Sequence, residues 1–292
     1  MKHLIVILLS IALVACHAKK ARETVSPVAG DDAYAYFLID SILQYGLDHE
    51  ALYTLVGNVK PMSSLVDFSF PVANTDSALS TSGEILTREQ HGAYIDRIRV
   101  VQEAIGRIRL PDLKFVMIPY KAPFGTTRRG MQISVIRVSA LDSLLKARES
   151  FFGQFGLVPG SDPAVVATVI EFADRYERFR GYGYLFGYPG YAVDFFVKAF
   201  RESDSTGKHV TRNFFQIPVY ARNGGYFVYA YPKAAVPTAA VDSALYYRAS
   251  GVLEHYKRVR SRYLNADSTL QAYQLLKDLA HDTGRQGETP EQ

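Results

Sequence analysis

The densest run of chemistry-bearing residues is Arg180-Gly181-Tyr182-Gly183-Tyr184-Leu185-Phe186-Gly187-Tyr188-Pro189-Gly190-Tyr191, with Asp194-Phe195-Phe196 close behind. Tyrosines on a glycine-rich bend between helices can form an aromatic groove for a glycan, a peptide or a lipid, with Tyr182, Tyr184 and Tyr188 as contacting rings. The same residues suit a tight helix–helix corner, in which glycines permit close packing and the rings fill core. A polar candidate lies in Phe124-Gly125-Thr126-Thr127-Arg128-Arg129-Gly130. There Arg128 and Arg129, with hydroxyls and flexible glycines around them, could seize a phosphate or carboxylate, or could simply be the charges of a solvated loop. His49-Glu50 and Glu89-x-His91 put carboxylates beside imidazoles, a pairing that suits a general base or a metal ligand and equally a solvated helix start. No two potential ligands stand at i, i+4, so no metal site is assigned, and no cofactor is called for. Gly-x-Ser-x-Gly, His-Glu-x-x-His and the phosphate-loop pattern are all missing, which leaves the catalytic residues unassigned.

The amino terminus carries the sharpest message. Lys2 and His3 precede an apolar run from Leu4 to Leu13, too short for the ~20 residues that cross a bilayer core. A basic start, a short apolar stretch and small residues describe a secretory signal. Leu13-Val14-Ala15-Cys16 resembles the lipobox of bacterial lipoproteins. The resemblance implies removal of residues 1–15, a diacylglycerol on the Cys16 sulfur and an acylated new amino terminus. His17, where an aspartate would favour inner-membrane retention in that family, implies the periplasmic leaflet of the outer membrane in a didermal host. At ~0.8 kcal/mol per buried methylene, two or three acyl chains amount to a permanent anchor.

Cys16 is the only cysteine. Once lipidated it leaves no thiol, which excludes cysteine nucleophiles, thiolate zinc sites and Cys-x-x-Cys redox centres. The formal charge of +4 is mild, falls to +3 with the loss of Lys2, and is interspersed, so nothing points to nucleic acid. The chain holds 20 Tyr and 17 Phe but no Trp, and the lack of the favoured sugar-stacking ring argues against a dedicated carbohydrate module.

Two further resemblances are visible in the chain. Ser143-Leu144-Leu145-Lys146 and Tyr263-Leu264-Asn265 match two boxes of the penicillin-recognising enzymes, but no Lys-Thr-Gly box follows. Leu141, Leu144 and Leu145 claim the core side of that helix and leave Ser143 wet. Gly187 to Phe196 is similar to Leu-Gly-Tyr-Pro segments of bacterial proteins whose activity is not known, which implies no function.

The elements that would position these residues follow from periodicity. Residues 16–31 read as a lipidated tether, 32–281 as a single globular domain and 282–292 as a polar tail. Apolar residues at three- and four-residue spacing predict a helix from Asp32 to Leu47, and Asp48 looks like the N-cap of a short helix ending at Val56. Residues 62–87 lack a helical period, with a short strand possible near Leu65–Phe70. Thr87 and Gln90 suggest a capping box for a helix ending near Arg109. Leu113–Tyr120 and Met131–Val138 predict a hairpin around the loop 121–130. Helices follow from Ser139 to Phe152 and, started by Asp162-Pro163, to Phe179, where Gly181-Tyr182-Gly183 breaks the chain; Pro189 starts another. Asn213–Ala221 and Tyr226–Tyr231 flank Asn223-Gly224, a strong hairpin signal. Helices over 238–264 and 268–281 close the fold. Strands arriving as hairpins predict an α+β, predominantly helical domain, in which the two hairpins could join into one small antiparallel sheet.

On this reading the protein is a lipid-anchored, periplasm-facing binding or assembly module. It meets the membrane through its lipid and takes a glycan, a peptide or an envelope protein as ligand. The alternative is a cell-envelope hydrolase with a site near His49, His91 and the 62–87 segment.

Overall fold

The computed structural model describes residues 32–71, 88–121, 128–221 and 225–285. Cys16 and the tether, Thr87 of the expected capping box, the loop core 122–127 and Asn223-Gly224 lie outside them. The fold is α+β and mostly helical. In chain order it runs α1 (Asp32–Asp48), α2 (Leu52–Leu55), β1 (Met62–Pro71), α3 (Arg88–Gly106), β2 (Leu113–Pro119), β3 (Arg128–Arg137), α4 (Val138–Ala147), α5 (Glu149–Phe152) and α6 (Pro163–Phe172). Then come α7 (Arg175–Leu185), α8 (Gly190–Thr206), β4 (Arg212–Pro218), β5 (Tyr226–Pro232), α9 (Ala244–Arg260) and α10 (Ala272–Arg285).

The two hairpins do not join. β1, β3 and β2 form one antiparallel sheet in that order, and β4 with β5 forms another. The strand flanking β3 opposite β2 is β1, a ten-residue strand in a segment where the sequence suggested only a short one. Both edges of β3 are thereby taken. The hairpin β4–β5 packs instead on α8 and α9. A bulge between Ser64 and Asp67 re-aims β1 in mid-strand.

Residue alternation gives the first sheet two buried faces. Ile133 and Val135, with Leu65, enter a cluster containing Ile39, Leu43 and Leu47 of α1 and Leu253 and Tyr256 of α9. Val116, Ile118 and Ile136, with Met62, enter a second cluster with Leu141 and Leu145 of α4, Val166 and Ile170 of α6, and Tyr184 and Leu185 of α7. The sheet is a layer between two helical layers.

Several boundaries differ from expectation for identifiable reasons. Asp48 ends α1 and caps nothing: its carboxylate accepts from Tyr256 (2.8 Å) and Arg260 (3.2 Å), while its carbonyl accepts from Ala221 N (2.8 Å). α6 starts as expected, Asp162 accepting from Ala164 N at 2.8 Å, but ends at Phe172. Lys121 Nζ satisfies the terminal carbonyls of Phe172 (3.2 Å) and Ala173 (2.9 Å), so the helix can stop there without orphaned acceptors. The strand pairing of β4 with β5 ends at Pro218 opposite Tyr226, well short of Asn223-Gly224.

Candidate functional site

Gly181, Tyr182 and Gly183 do not break a helix; they lie inside α7. A Cβ at Gly181 would stand 2.7 Å from Ile170 Cγ2 of α6, and one at Gly183 2.8 Å from Val193 Cγ2 of α8. The glycines let three helices meet at close range, and that packing offsets the ~1 kcal/mol each costs in a helix interior. The break comes at Gly187, whose φ of 74° is left-handed. Tyr188 N donates to Gly183 O (3.0 Å) and Gly187 N to Tyr184 O (2.9 Å), a Schellman closure that Pro189 then prevents from continuing.

This geometry separates the three tyrosines. Tyr184 is buried, packed edge-on against Phe151 with the Arg148 guanidinium 4.8 Å above its ring, and is a core residue of the corner. Tyr182 and Tyr188 face the other way. With Phe179, Phe186, Val193 and Phe196 they form one wall of an apolar cleft of about 330 Å³, whose opposite wall is Phe214, Val228, Tyr229 and Ala230 of the hairpin. Corner and groove are therefore two sides of one bend. Tyr182 and Phe186 stack at 5.4 Å, and Tyr188 stacks on Phe227 at 5.7 Å.

Two of the cleft's three phenols are anchored from behind. Tyr182 donates to Glu171 Oε2 (2.7 Å), a buried carboxylate that also accepts from Lys121 N (2.7 Å) and lies 3.7 Å from Arg178. Tyr229 donates to Asp242 Oδ1 (2.6 Å), as does Tyr191 from α8 (2.6 Å). Burial raises the Asp242 pKa, but hydrogen bonds from Tyr191, Tyr229 and Thr238 outweigh it and hold the carboxyl below its usual range. Burial, reinforced by the carboxylate each phenol faces, pushes Tyr182 and Tyr229 well above the ordinary phenol range. Both stay protonated and committed as donors.

A second cluster sits beside the cleft, where the alternative enzyme reading would place its chemistry. Lys60 is fully buried, its Nζ 2.9 Å from Glu50 Oε2. That contact is a charge pairing, and the ammonium otherwise faces the rings of Phe227 (4.6 Å) and Phe186 (5.3 Å). Burial lowers its pKa despite Glu50. With no solvent-accessible surface, this amine is in no position to meet a substrate. Asp67 accepts from Tyr120 (3.0 Å) and Gln132 (3.3 Å). Desolvation, opposed by those two hydrogen bonds, raises its pKa. His49 stacks on Tyr45 at 4.1 Å, and its Nδ1 lies 2.8 Å from the Tyr45 carbonyl oxygen. His91 lies on α3, and Arg128 and Arg129 lie in β3 opposite Pro71 and Phe70, not in the loop. The side chains of these three are outside the described residues. Ser143 donates to Ser139 O (2.9 Å) on an exposed helix face, and Tyr263 to Asp278 (2.8 Å), so the two penicillin-type boxes form no site. Among the described residues no group of three His, Cys, Asp or Glu could hold a metal.

A larger cavity of about 440 Å³ lies under α10, lined among others by Leu55, Asp112, Arg137 and His255. Its main charges are spent: Asp112 accepts from Ser139 Oγ (2.6 Å) and Arg137 (3.1 Å), and Arg137 also donates to Thr54 O (2.9 Å) and Leu55 O (3.1 Å). Volume alone does not make it the better site; a free recognition surface does, and the aromatic cleft has the exposed ring of Phe214 at its rim.

The sequence named Tyr182 and Tyr188 and missed Phe179, Phe186, Phe196 and Phe214. Phe179, Tyr182 and Phe186 recur at three and four residues, an aromatic helical stripe visible once the helix is carried through its glycines. Phe214 reaches the cleft only through tertiary packing. No family model, curated protein or solved structure matches the chain.

Proposed function

We propose that the protein is a lipid-anchored binding module of the cell envelope, held by Cys16 at the periplasmic leaflet, and that it receives its ligand in the α7–α8/β4–β5 cleft. One observation carries this reading: the cleft is walled by rings of Phe179, Tyr182, Phe186, Tyr188, Phe196 and Phe214 and by aliphatic groups, and among the described residues its lining holds no carboxylate and no imidazole. Such a surface binds by burial of apolar area, and two of its hydroxyls, those of Tyr182 and Tyr229, are already committed to Glu171 and Asp242. Phe214, 57% exposed at the rim, leaves apolar surface for a ligand to cover.

Two measurements test it. An uncharged environment-sensitive dye, N-phenylnaphthylamine, should brighten on binding. Ala230→Phe, which puts a ring into the cleft, should abolish the signal, and Phe214→Ala should weaken it with the melting temperature unchanged. A signal identical in wild type and both variants overturns the cleft as the site. Labelling with a palmitate analogue should mark the wild type and spare Cys16→Ser; equal labelling ends the anchor.

A further inference from the structure

The cleft has two unlike ends. Toward the start of α8 it closes on Asp242, whose Oδ1 receives both Tyr191 and Tyr229. Against the wall ring Phe196, outside the cleft lining itself, stands Arg212 at the start of β4. Arg212 and Phe214 are two residues apart on one strand and so project from the same face. The guanidinium lies 5.2 Å from the centroid of Phe200 and 5.9 Å from that of Phe196, a ring of the cleft wall. Its Nε donates to Val210 O (3.3 Å), and among the described residues no carboxylate lies within ion-pair reach of it. The surrounding arginines differ: Arg175 holds Asp204, Arg178 faces Glu171 and Arg180 holds Asp194. Arg212 is a half-buried cation with donors to spare at the mouth of an apolar cleft. Burial lowers its pKa, and no neighbouring acid offsets that.

The interior is mostly apolar, and two of its three hydroxyls are already committed. The Tyr182 and Tyr229 hydroxyls are bonded outward to Glu171 and Asp242. A peptide or a sugar seated between these walls would leave amides or hydroxyls unmatched, each at a cost, whereas a hydrocarbon has none to match. The volume lies at the low end of small-molecule sites, about the room for one chain.

We propose that the cleft takes a single acyl chain ending in an anion, a fatty carboxylate, with the tail toward Tyr188 and Tyr229 and the carboxylate on Arg212. This rests on the cleft being the binding site and adds the class of ligand. The partner is fixed by charge complementarity: an unpaired guanidinium at one end, hydrocarbon-like walls beyond it.

The test uses the full chain as Cys16→Ser, so that its own lipid cannot compete, with dodecanoate, dodecanol and dodecylammonium as probes in calorimetric titrations. Dodecanoate should bind about tenfold or more tighter than dodecanol, the factor a charge-assisted hydrogen bond carries, and dodecylammonium weakest. Arg212→Leu should bring dodecanoate to the level of dodecanol while leaving dodecanol unchanged, which also shows that the variant is folded; Arg212→Lys should keep most of the preference. Equal wild-type affinities for dodecanoate and dodecanol overturn the anion assignment and leave the apolar cleft standing. No binding by any of the three overturns both. A short apolar peptide that outcompetes dodecanoate overturns the acyl chain.

Discussion

Both β-units of this protein are antiparallel, but they are covered differently. The sheet β1–β3–β2 has helices on both faces, and each face feeds its own apolar cluster. The hairpin β4–β5 sends Ile217 and Phe227 into the first of those clusters. Its other face, Phe214, Val228 and Ala230, meets α7 and α8 across a gap. A doubly covered sheet spends all its apolar residues on packing. A sheet covered on one face and only bridged on the other keeps apolar area in reserve, and that reserve is what a binding site is made of.

The contrast predicts opposite outcomes for similar truncations. Ile133→Ala, in the layered sheet at 1% exposure, should cost about 2–5 kcal/mol in urea unfolding, through lost burial and the cavity left behind. Phe214→Ala should stay within about 0.5 kcal/mol and weaken dye binding. Comparable losses for the two would erase the distinction.

Of intermediate size is the effect at the joint that sets the near wall. Gly183→Ala should destabilise by about 1–3 kcal/mol, because the new methyl meets the Val193 side chain. Adding Val193→Ala should recover part of that loss, a coupling that two independent sites would not show. Strict additivity would mean that α7 and α8 do not touch there.

The smallest effects are electrostatic and separate the two regions by pH. Asp242, behind the cleft, has a folded pKa below its unfolded 3.8. Its hydrogen bonds therefore stabilise the fold above pH ~4, and that share is lost as pH falls through the folded value. Asp242→Asn should thus melt lower than wild type at pH 7, with the gap closing in acid. Asp67, on the layered sheet, has a folded pKa above 3.8. Its ionised form is the disfavoured one, so stability is lost as pH rises through that window. Asp67→Asn should melt slightly higher than wild type near neutrality, with the gain vanishing below pH ~4. Two melting curves with the same sign would remove the distinction.

Local chemistry was legible in the chain; distant chemistry was not. Asp162-Pro163 announced the start of α6 because cap and proline act within one turn. The glycines of α7 misled, since a glycine that permits close packing and one that ends a helix are the same letter. Only the neighbours distinguish them: Ile170 and Val193 at Gly181 and Gly183, against the backbone of Val59 and Lys60 at Gly187. Glu171 gave no signal, because its partners Tyr182 and Lys121 N come from another helix and a strand end. Arg212 gave none either, since being unpaired is a property of its surroundings.

The shared oxygen of Asp242 has a mechanical meaning. It fastens the first turn of α8 and the middle of β5 to one atom, so the two walls are joined there as by a hinge pin. At the far end the only described tie between β4 and α8 at Arg212 is a guanidinium resting on the rings of Phe196 and Phe200, a latch without a directed bond. The two walls are thus joined by directed hydrogen bonds at one end and by the contact of a cation with ring faces at the other.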